Sequence, residues 1–417
     1  MSNRCLLFVL LVAVPGSVVM AGGIKLPPII GDLRGDFRPF EMSSAPNLHW
    51  SSALRPAGDV HDGRVMETKI EGEGTRLRGL INLATTEDGT WQILEGEIDL
   101  AAWFPIVAEK VGEAMKGLGA KGMIILKGNG LVRAGAPSGV VLMTVREGRL
   151  GNAEGGWALE GIALTAEFLI EAEGIKVKST TPFELAVAKI STTRFGAENL
   201  LIHGVLNEDH TIALSDARID IAGGEITLDP TMLTLSPLGL EATMQIVNVG
   251  LQDIAALIPR SFASAQGRID GTVRMGWALT GGFRVGAGNL TLGKSEQAIV
   301  TLAPAPGFLT QTMPKRFEPV PSWTGPLSKW LSADNPAYTD MAAIELGEAP
   351  LQVDSLTVKL TPEGDEFGKT ATVRMRARPT KPGASVGVVN IDVNVVGPLD
   401  SIMKLGLNRE FSINAHR

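Results

Sequence analysis

What constrains this 417-residue chain most is a two-residue alternation of apolar and polar side chains, repeated over many short segments. Leu77, Gly79, Ile81 and Leu83 fall on one face of residues 76–83, and Leu164, Ala166, Phe168 and Ile170 on one face of another segment. Ile269, Gly271, Val273 and Met275 oppose Arg268, Asp270, Thr272 and Arg274. Ala371, Val373, Met375 and Ala377 oppose Thr370, Thr372, Arg374, Arg376 and Arg378, and Val389, Ile391, Val393 and Val395 repeat the pattern. Successive side chains of a strand point to opposite faces, so these segments predict strands with one apolar and one wet face. Such strands suit antiparallel sheets, because parallel sheets are covered on both sides and read as unbroken apolar runs. Glu87-Asp88-Gly89, Gly155-Gly156, Gly223-Gly224 and Gly281-Gly282 supply turns between them. The expected architecture is mainly β, built from hairpins and meanders.

Two segments depart from that period. Residues 102–118 place Trp103, Val107, Val111, Met115 and Leu118 near one side of a helix, with Pro105 in its first turn. Residues 251–263 do the same with Ile254, Leu257, Ile258 and Phe262, and Pro259 shortens or kinks that helix. Each helix follows a strand and leads through an A-x-G step into another strand, which predicts an internal repeat. The expected organisation is a first repeat over 63–228 and a second over 229–302. A Pro-rich irregular insert follows over 303–339, then C-terminal strands over 340–417. The insert also holds Phe308, Phe317, Trp323, Trp330 and Tyr338. Residues 22–62, with Pro27, Pro28, Pro39, Pro46 and Pro56, read as a linker or cap.

Residues 1–21 combine Arg4, the apolar run Leu6 to Val14, the breakers Pro15 and Gly16, and Val19-Met20-Ala21. This is the pattern of a secretory signal, with an uncleaved N-terminal anchor as the alternative. Cys5 is the single cysteine, and it precedes the apolar run, where a lipoprotein signal would place it after. One cysteine excludes a disulfide scaffold and Cys-based metal sites. A net charge of −7 argues against a dedicated nucleic-acid binder. With 44% hydrophobic but only 5% aromatic residues, the apolar content is aliphatic.

Three catalytic or nucleotide-binding strings occur, each in the wrong context. Gly117-Leu118-Gly119-Ala120-Lys121-Gly122 matches a dinucleotide fingerprint, but a helix precedes it and a strand follows, the reverse of what pyrophosphate binding needs. Gly288 to Ser295 matches a phosphate loop, yet Leu290 and Leu292 alternate as in a strand. Gly383-Ala384-Ser385-Val386-Gly387 matches a nucleophile elbow but leads into a strand, with only His416 downstream. His49, His61 and the acidic residues beside it, and His203 and His210, read as solvated loops or hairpin tips. Asp216, Asp220 and Glu225 leave a glycosidase conceivable, against the scarcity of stacking aromatics. Arg374, Arg376 and Arg378 form a basic edge read as a solvated face, with lipid headgroups as the alternative. No cofactor or metal is expected.

The second half resembles a known pattern. Gly267-Arg268-Ile269-Asp270-Gly271, then Phe283-Arg284-Val285, Gly288-Asn289-Leu290 and Ala305-Pro306-Gly307-Phe308-Leu309 are similar to motifs of the YdbH-type, AsmA-like proteins. Leu351 to Leu360, Val389 to Val395 and Gly397-Pro398-Leu399-Asp400-Ser401-Ile402 extend the resemblance, which covers roughly residues 200–410. Three features depart from the family: its chain is longer, its P-P-G appears here as Ala305-Pro306-Gly307, and an Asn-Pro turn is replaced by Pro379-Thr380-Lys381-Pro382. The resemblance implies a long bent antiparallel sheet, a repeating β-groove whose apolar face carries phospholipid acyl chains between the inner and outer membranes. It also implies a periplasmic location and an outer-membrane lipoprotein partner that adds a strand near Phe411, Ile413 and Ala415. On that reading the lining is Leu77, Ile81, Leu164, Phe168, Ile269, Val273, Met275, Val373, Met375, Val389, Ile391 and Val393. The alternatives are a structural or interaction β-protein of the cell envelope, whose apolar faces bury each other, and a secreted hydrolase.

Overall fold

The computed structural model describes residues 31–38, 46–56, 63–84, 88–111, 117–134, 136–152, 156–171, 176–192, 196–209, 211–235, 237–252, 262–278, 282–293, 297–317 and 332–396. The fold is mainly β: 22 strands belong to one antiparallel sheet, accompanied by two short helices. The chain divides into two compact units, one of residues 1–219 with 230–239 and one of 220–229 with 240–417.

In the first unit, β1 (Gly31–Phe37), β2 (Leu48–Pro56), β3 (Arg64–Gly72), β4 (Thr75–Leu83), β5 (Gly89–Asp99), β6 (Leu118–Arg133), β7 (Ala136–Asn152) and β8 (Trp157–Glu171) each pair antiparallel with the next. β8 then serves two partners in succession, β9 (Lys176–Ser179) and β10 (Phe183–Ser191). β10 pairs β11 (Gly196–Leu206), and β12 (Thr211–Ile221) pairs β14 (Thr231–Leu235).

In the second unit, β13 (Gly224–Leu228) pairs β15 (Leu238–Gly250), and β15 pairs β17 (Arg268–Ala278). β17 pairs β18 (Gly282–Leu292), which pairs the C-terminal half of β22 (Leu351–Leu360). The N-terminal half of β22 pairs β19 (Ala298–Leu302), which also pairs β16 (Phe262–Gln266). β23 (Lys369–Pro379) and β24 (Val389–Val396) continue from β22. β20 (Arg316–Phe317) and β21 (Ala333–Asp334) form a separate two-stranded ribbon.

The helices are α1 (Leu100–Val111) and α2 (Pro336–Glu345). The Asp99 carboxylate starts α1 by accepting a hydrogen bond from the Ala101 amide at 2.8 Å. Asn335 starts α2: its side-chain oxygen accepts from the Ala337 and Tyr338 amides, and Pro336 takes the first helical position, where no N–H is needed.

The structure corrects several boundaries. The helix expected over 102–118 runs from Leu100 to Val111, residues 112–116 lie outside the described residues, and Leu118 already opens β6. Of the helix expected over 251–263, only Leu251 and Gln252 are helical among the described residues, and Phe262 opens β16. The supposed linker or cap at 22–62 contains β1 and β2, both paired in the sheet. Its prolines hide the strands, yet Pro56 is the last residue of β2 and the alternation Leu48, Trp50, Ser52, Leu54 is intact. The irregular insert and the C-terminal strands share a helix that neither was expected to hold, since α2 starts at Pro336. Residues 1–30 and 397–417, with the signal and the closing strand, lie outside the described residues.

Candidate functional site

The register brings the alternating segments of the first unit onto a common apolar face. One transverse row runs through directly opposed residues: Leu54 on β2, Met66 on β3, Ile81 on β4 and Trp91 on β5. It continues through Gly130 on β6 and Gly139 on β7 to Ile170 on β8. At both glycines a side chain would meet the facing backbone and the Trp91 ring. A Cβ on Gly130 would stand 2.6 Å from the indole nitrogen and 1.9 Å from the Ser138 carbonyl oxygen, and one on Gly139 would stand 2.8 Å from the ring. The Trp91 indole N–H donates to the Ser138 carbonyl at 3.0 Å, so the ring lies across the strands with its polar atom satisfied.

A second row begins with Leu48, Gly72, Thr75 and Ile98 on β2 to β5. Ile124, Val145, Leu164, Leu185 and Ile202 carry it over β6, β7, β8, β10 and β11. Nine strands at about 4.8 Å spacing make this row roughly 40 Å long. Its two ends differ. At one end α1 packs on β5 and β6, and the Trp103 indole N–H donates to the Thr75 hydroxyl at 2.8 Å. There Leu48, Ile98 and Ile106 are buried. At the other end Leu164, Leu185 and Ile202 are half-buried, keeping part of their aliphatic surface in water. Between the two rows sits a buried polar pair, the Ser52 and Thr68 hydroxyls 3.0 Å apart.

The opposite face is charged and cross-linked by ion pairs at the surface. Arg78 meets Glu67 at 2.6 Å, Arg149 meets Glu160 at 2.8 Å, and Arg76 lies between Glu95 and Glu97. His203 stands 3.5 Å from both Glu184 and Asp216. His49 pairs with Asp36.

The second unit treats its apolar face differently. Ile269, Val273, Met275, Val373, Met375, Val389, Ile391 and Val393 point to one face by register. Ile269, Met375, Val389 and Ile391, however, belong to a closed core with Ala298, Leu351, Ala377 and Ile344 of α2, and Ile344 is fully buried. Val373 and Val393 pack against that core. So the proposed lining splits: Leu77 and Leu164 are half-buried, Ile81 and Phe168 are buried, and four second-unit members are interior packing.

α2 holds its place through three polar fixings that periodicity did not single out. The Asn335 side-chain amide donates to the Pro314 carbonyl at 2.8 Å. Asp340 accepts from the Ser385 amide and hydroxyl, both at 2.6 Å, and from Lys381 at 3.3 Å. The Ser385 hydrogen bonds hold the Asp340 carboxyl below its ordinary range. Glu345 is buried and accepts from the Gly307, Leu309 and Thr310 amides at 2.8–3.1 Å and from the Thr310 hydroxyl at 2.7 Å. Burial pushes the Glu345 carboxyl up, but the donors outweigh it and hold it below its ordinary value. The available signal was Asn335-Pro336, an N-cap followed by proline at the first helical position.

The three strings fall in the following places. Gly288 to Leu292 lie in β18, and residues 294–296 are outside the described residues. Leu118 to Gly122 open β6. Ser385 donates to Asp340 and has no histidine base in that contact. Of the basic edge, Arg378 is bound by Asp354 at 2.6 Å and Arg374 lies 3.8 Å from Asp392. No helix among the described residues is long and apolar enough to cross a membrane. Among the described residues no group of three or more His, Cys, Asp or Glu is placed to hold a metal ion. Comparison with known protein families, with curated proteins and with solved structures finds no match to this chain.

Proposed function

We propose that this protein moves phospholipid through the periplasm without chemistry, the acyl chains lying against the apolar face of the first unit. The half-buried row Leu164, Leu185 and Ile202, continuous in register with the buried row under α1, carries this reading. Each buried methylene is worth about 0.8 kcal/mol, so exposing two acyl chains of roughly 30 methylenes to water costs on the order of 20 kcal/mol. An aliphatic surface that stays partly open lowers that barrier and needs no catalytic group and no cofactor. The motif resemblance to AsmA-like proteins, over residues 200–410 and so mostly in the second unit, suggests the class of function but not the face that carries lipid. An N-terminal anchor and an outer-membrane partner are further parts of the same proposal.

The test is direct. Protein purified without detergent should carry phospholipid in native mass spectrometry and take up a fluorescent lipid. Leu164→Asp and Ile202→Asp should each lower transfer between vesicles at least tenfold while leaving the far-ultraviolet circular dichroism unchanged. Absence of co-purified lipid together with absence of uptake overturns the reading. Ile391→Asp and Val273→Asp, which the sequence pattern alone would nominate, are poor tests because both side chains are buried.

One observation favours a second reading for part of the chain. The closed core around Ile344 is what a structural or interaction β-protein of the cell envelope would have. If both aspartate variants transfer lipid normally, that reading takes over for the first unit as well.

A further inference from the structure

Residues 303–317 differ from the rest of the chain in composition and in how they are held. They contain no Asp or Glu, in a chain with 45 of them, and they include Phe308, Lys315, Arg316 and Phe317. The buried Glu345 carboxylate fixes the backbone on both sides of Phe308 through the Gly307 and Leu309 amides. Gly307, at φ +86°, makes the turn that those two bonds require. Between these anchors the Phe308 ring points outward and keeps 44% of its surface exposed. Phe317 keeps 52% exposed, and its neighbours are fixed from α2 in the same way. The Asn335 amide donates to the Lys315 carbonyl at 2.9 Å, and the Asn335 side chain to the Pro314 carbonyl at 2.8 Å. A fold that buries a carboxylate and an asparagine to fix this loop holds both rings with about half of their surface in water.

The charge around the rings selects the occupant. Lys315 lies 5.6 Å over the Tyr338 ring, and Arg316 is 3.2 Å from the exposed Asp334. Phe317 adjoins Lys315 and Arg316 in the chain and Phe308 lies in the same segment, a composition of half-exposed aromatic rings and cations found in segments that enter the boundary between lipid headgroups and acyl chains. The chain as a whole carries −7 and is repelled by an anionic surface; residues 303–317 bring Lys315 and Arg316 and no acid of their own, against Asp334 on the paired strand, so this segment is repelled less than the chain at large.

We propose that the loop 305–317 docks on an anionic phospholipid bilayer, with Phe308 and Phe317 entering the interface and Lys315 and Arg316 meeting lipid phosphates. The purpose of this docking rests on the lipid-transfer reading, and docking is measured apart from transfer. Full-length protein with Cys5→Ser and Phe308→Cys takes an environment-sensitive fluorophore at position 308, and Cys5→Ser with Arg376→Cys serves as a control on the exposed face. Vesicles of phosphatidylethanolamine and phosphatidylglycerol should shift the 308 emission to the blue and leave the 376 emission unchanged. Phe308→Ser with Phe317→Ser should weaken vesicle cosedimentation at least tenfold. Lys315→Gln with Arg316→Gln should remove the preference for phosphatidylglycerol over phosphatidylcholine. An unshifted 308 signal in protein that still transfers lipid overturns the docking and spares the function. A blue shift that grows with protein concentration without vesicles makes the surface a contact between copies and also overturns it. Docking without transfer keeps this inference and removes the transfer reading.

Discussion

Two residues show how much of this fold depends on single contacts. Gly130 faces the Trp91 ring and the Ser138 carbonyl so closely that no side chain fits. Gly130→Ala should therefore destabilise the first unit by about 2 kcal/mol, read as a lower denaturation midpoint, because overpacking of this kind typically costs 1–3 kcal/mol. Glu345 is the opposite case, a buried charge kept by four donors. Hydrogen bonds to a charged group are worth about 1.5–3 kcal/mol each, and leaving the donors unpaired adds to the loss. Glu345→Ala should cost about 3 kcal/mol in urea unfolding of the second unit. The pH dependence has a definite sign. The folded-state value of Glu345 lies below its ordinary 4.5, so its contribution is complete above that pH and is lost as pH falls through the lower folded value. Acid titration followed by circular dichroism should show stability declining below about pH 4.5, and Glu345→Gln should flatten that decline.

At the scale of elements, the strands were legible and the helices only in part. Leu77 and Ile81, or Val389, Ile391 and Val393, declare their strands because period two leaves no other arrangement that buries one side. α1 was legible as a helix but not at its end, since the apolar stripe continues to Leu118, which the sheet takes as the start of β6. The pull of a neighbouring strand decides such an end, and periodicity does not report it. α2 escaped notice because its residues are not strongly amphipathic and it lies in a stretch dominated by prolines. Its stability comes from fixings distant in sequence, Asn335 to Pro314, Asp340 to Ser385 and Glu345 to Thr310. Asn335→Ala should cost about 1 kcal/mol from the lost cap, read by thermal unfolding, with the unpaired Pro314 carbonyl adding to it. The split pairing of β22 between β18 and β19 coincides with a change of phase in Leu351–Leu360: apolar residues fall at 351 and 353, then at 356, 358 and 360, on either side of the bulge between Val353 and Ser355.

In the first unit one face is apolar and the other is charged and solvated. Exposed ion pairs such as Arg149–Glu160 contribute little to stability, so Arg149→Gln should leave both stability and lipid transfer near their original values. On the lipid-transfer proposal, Leu164→Asp on the neighbouring strand β8 should lower transfer at least tenfold. A comparable loss in both variants would mean that the apolar face is not the path. Sequence alone determined the class of structure, because an alternation of apolar and polar residues can bury its apolar half only as antiparallel sheet, and it determined which residues share a face. Tertiary structure decided whether that face is filled. Leu164 and Ile391 read identically along the chain, yet Leu164 keeps part of its surface open while Ile391 lies in a core with Ile344. The difference is made by a buried cluster gathered from segments far apart in the chain, β19, β22, β23 and α2 among them, and no local period encodes such contacts.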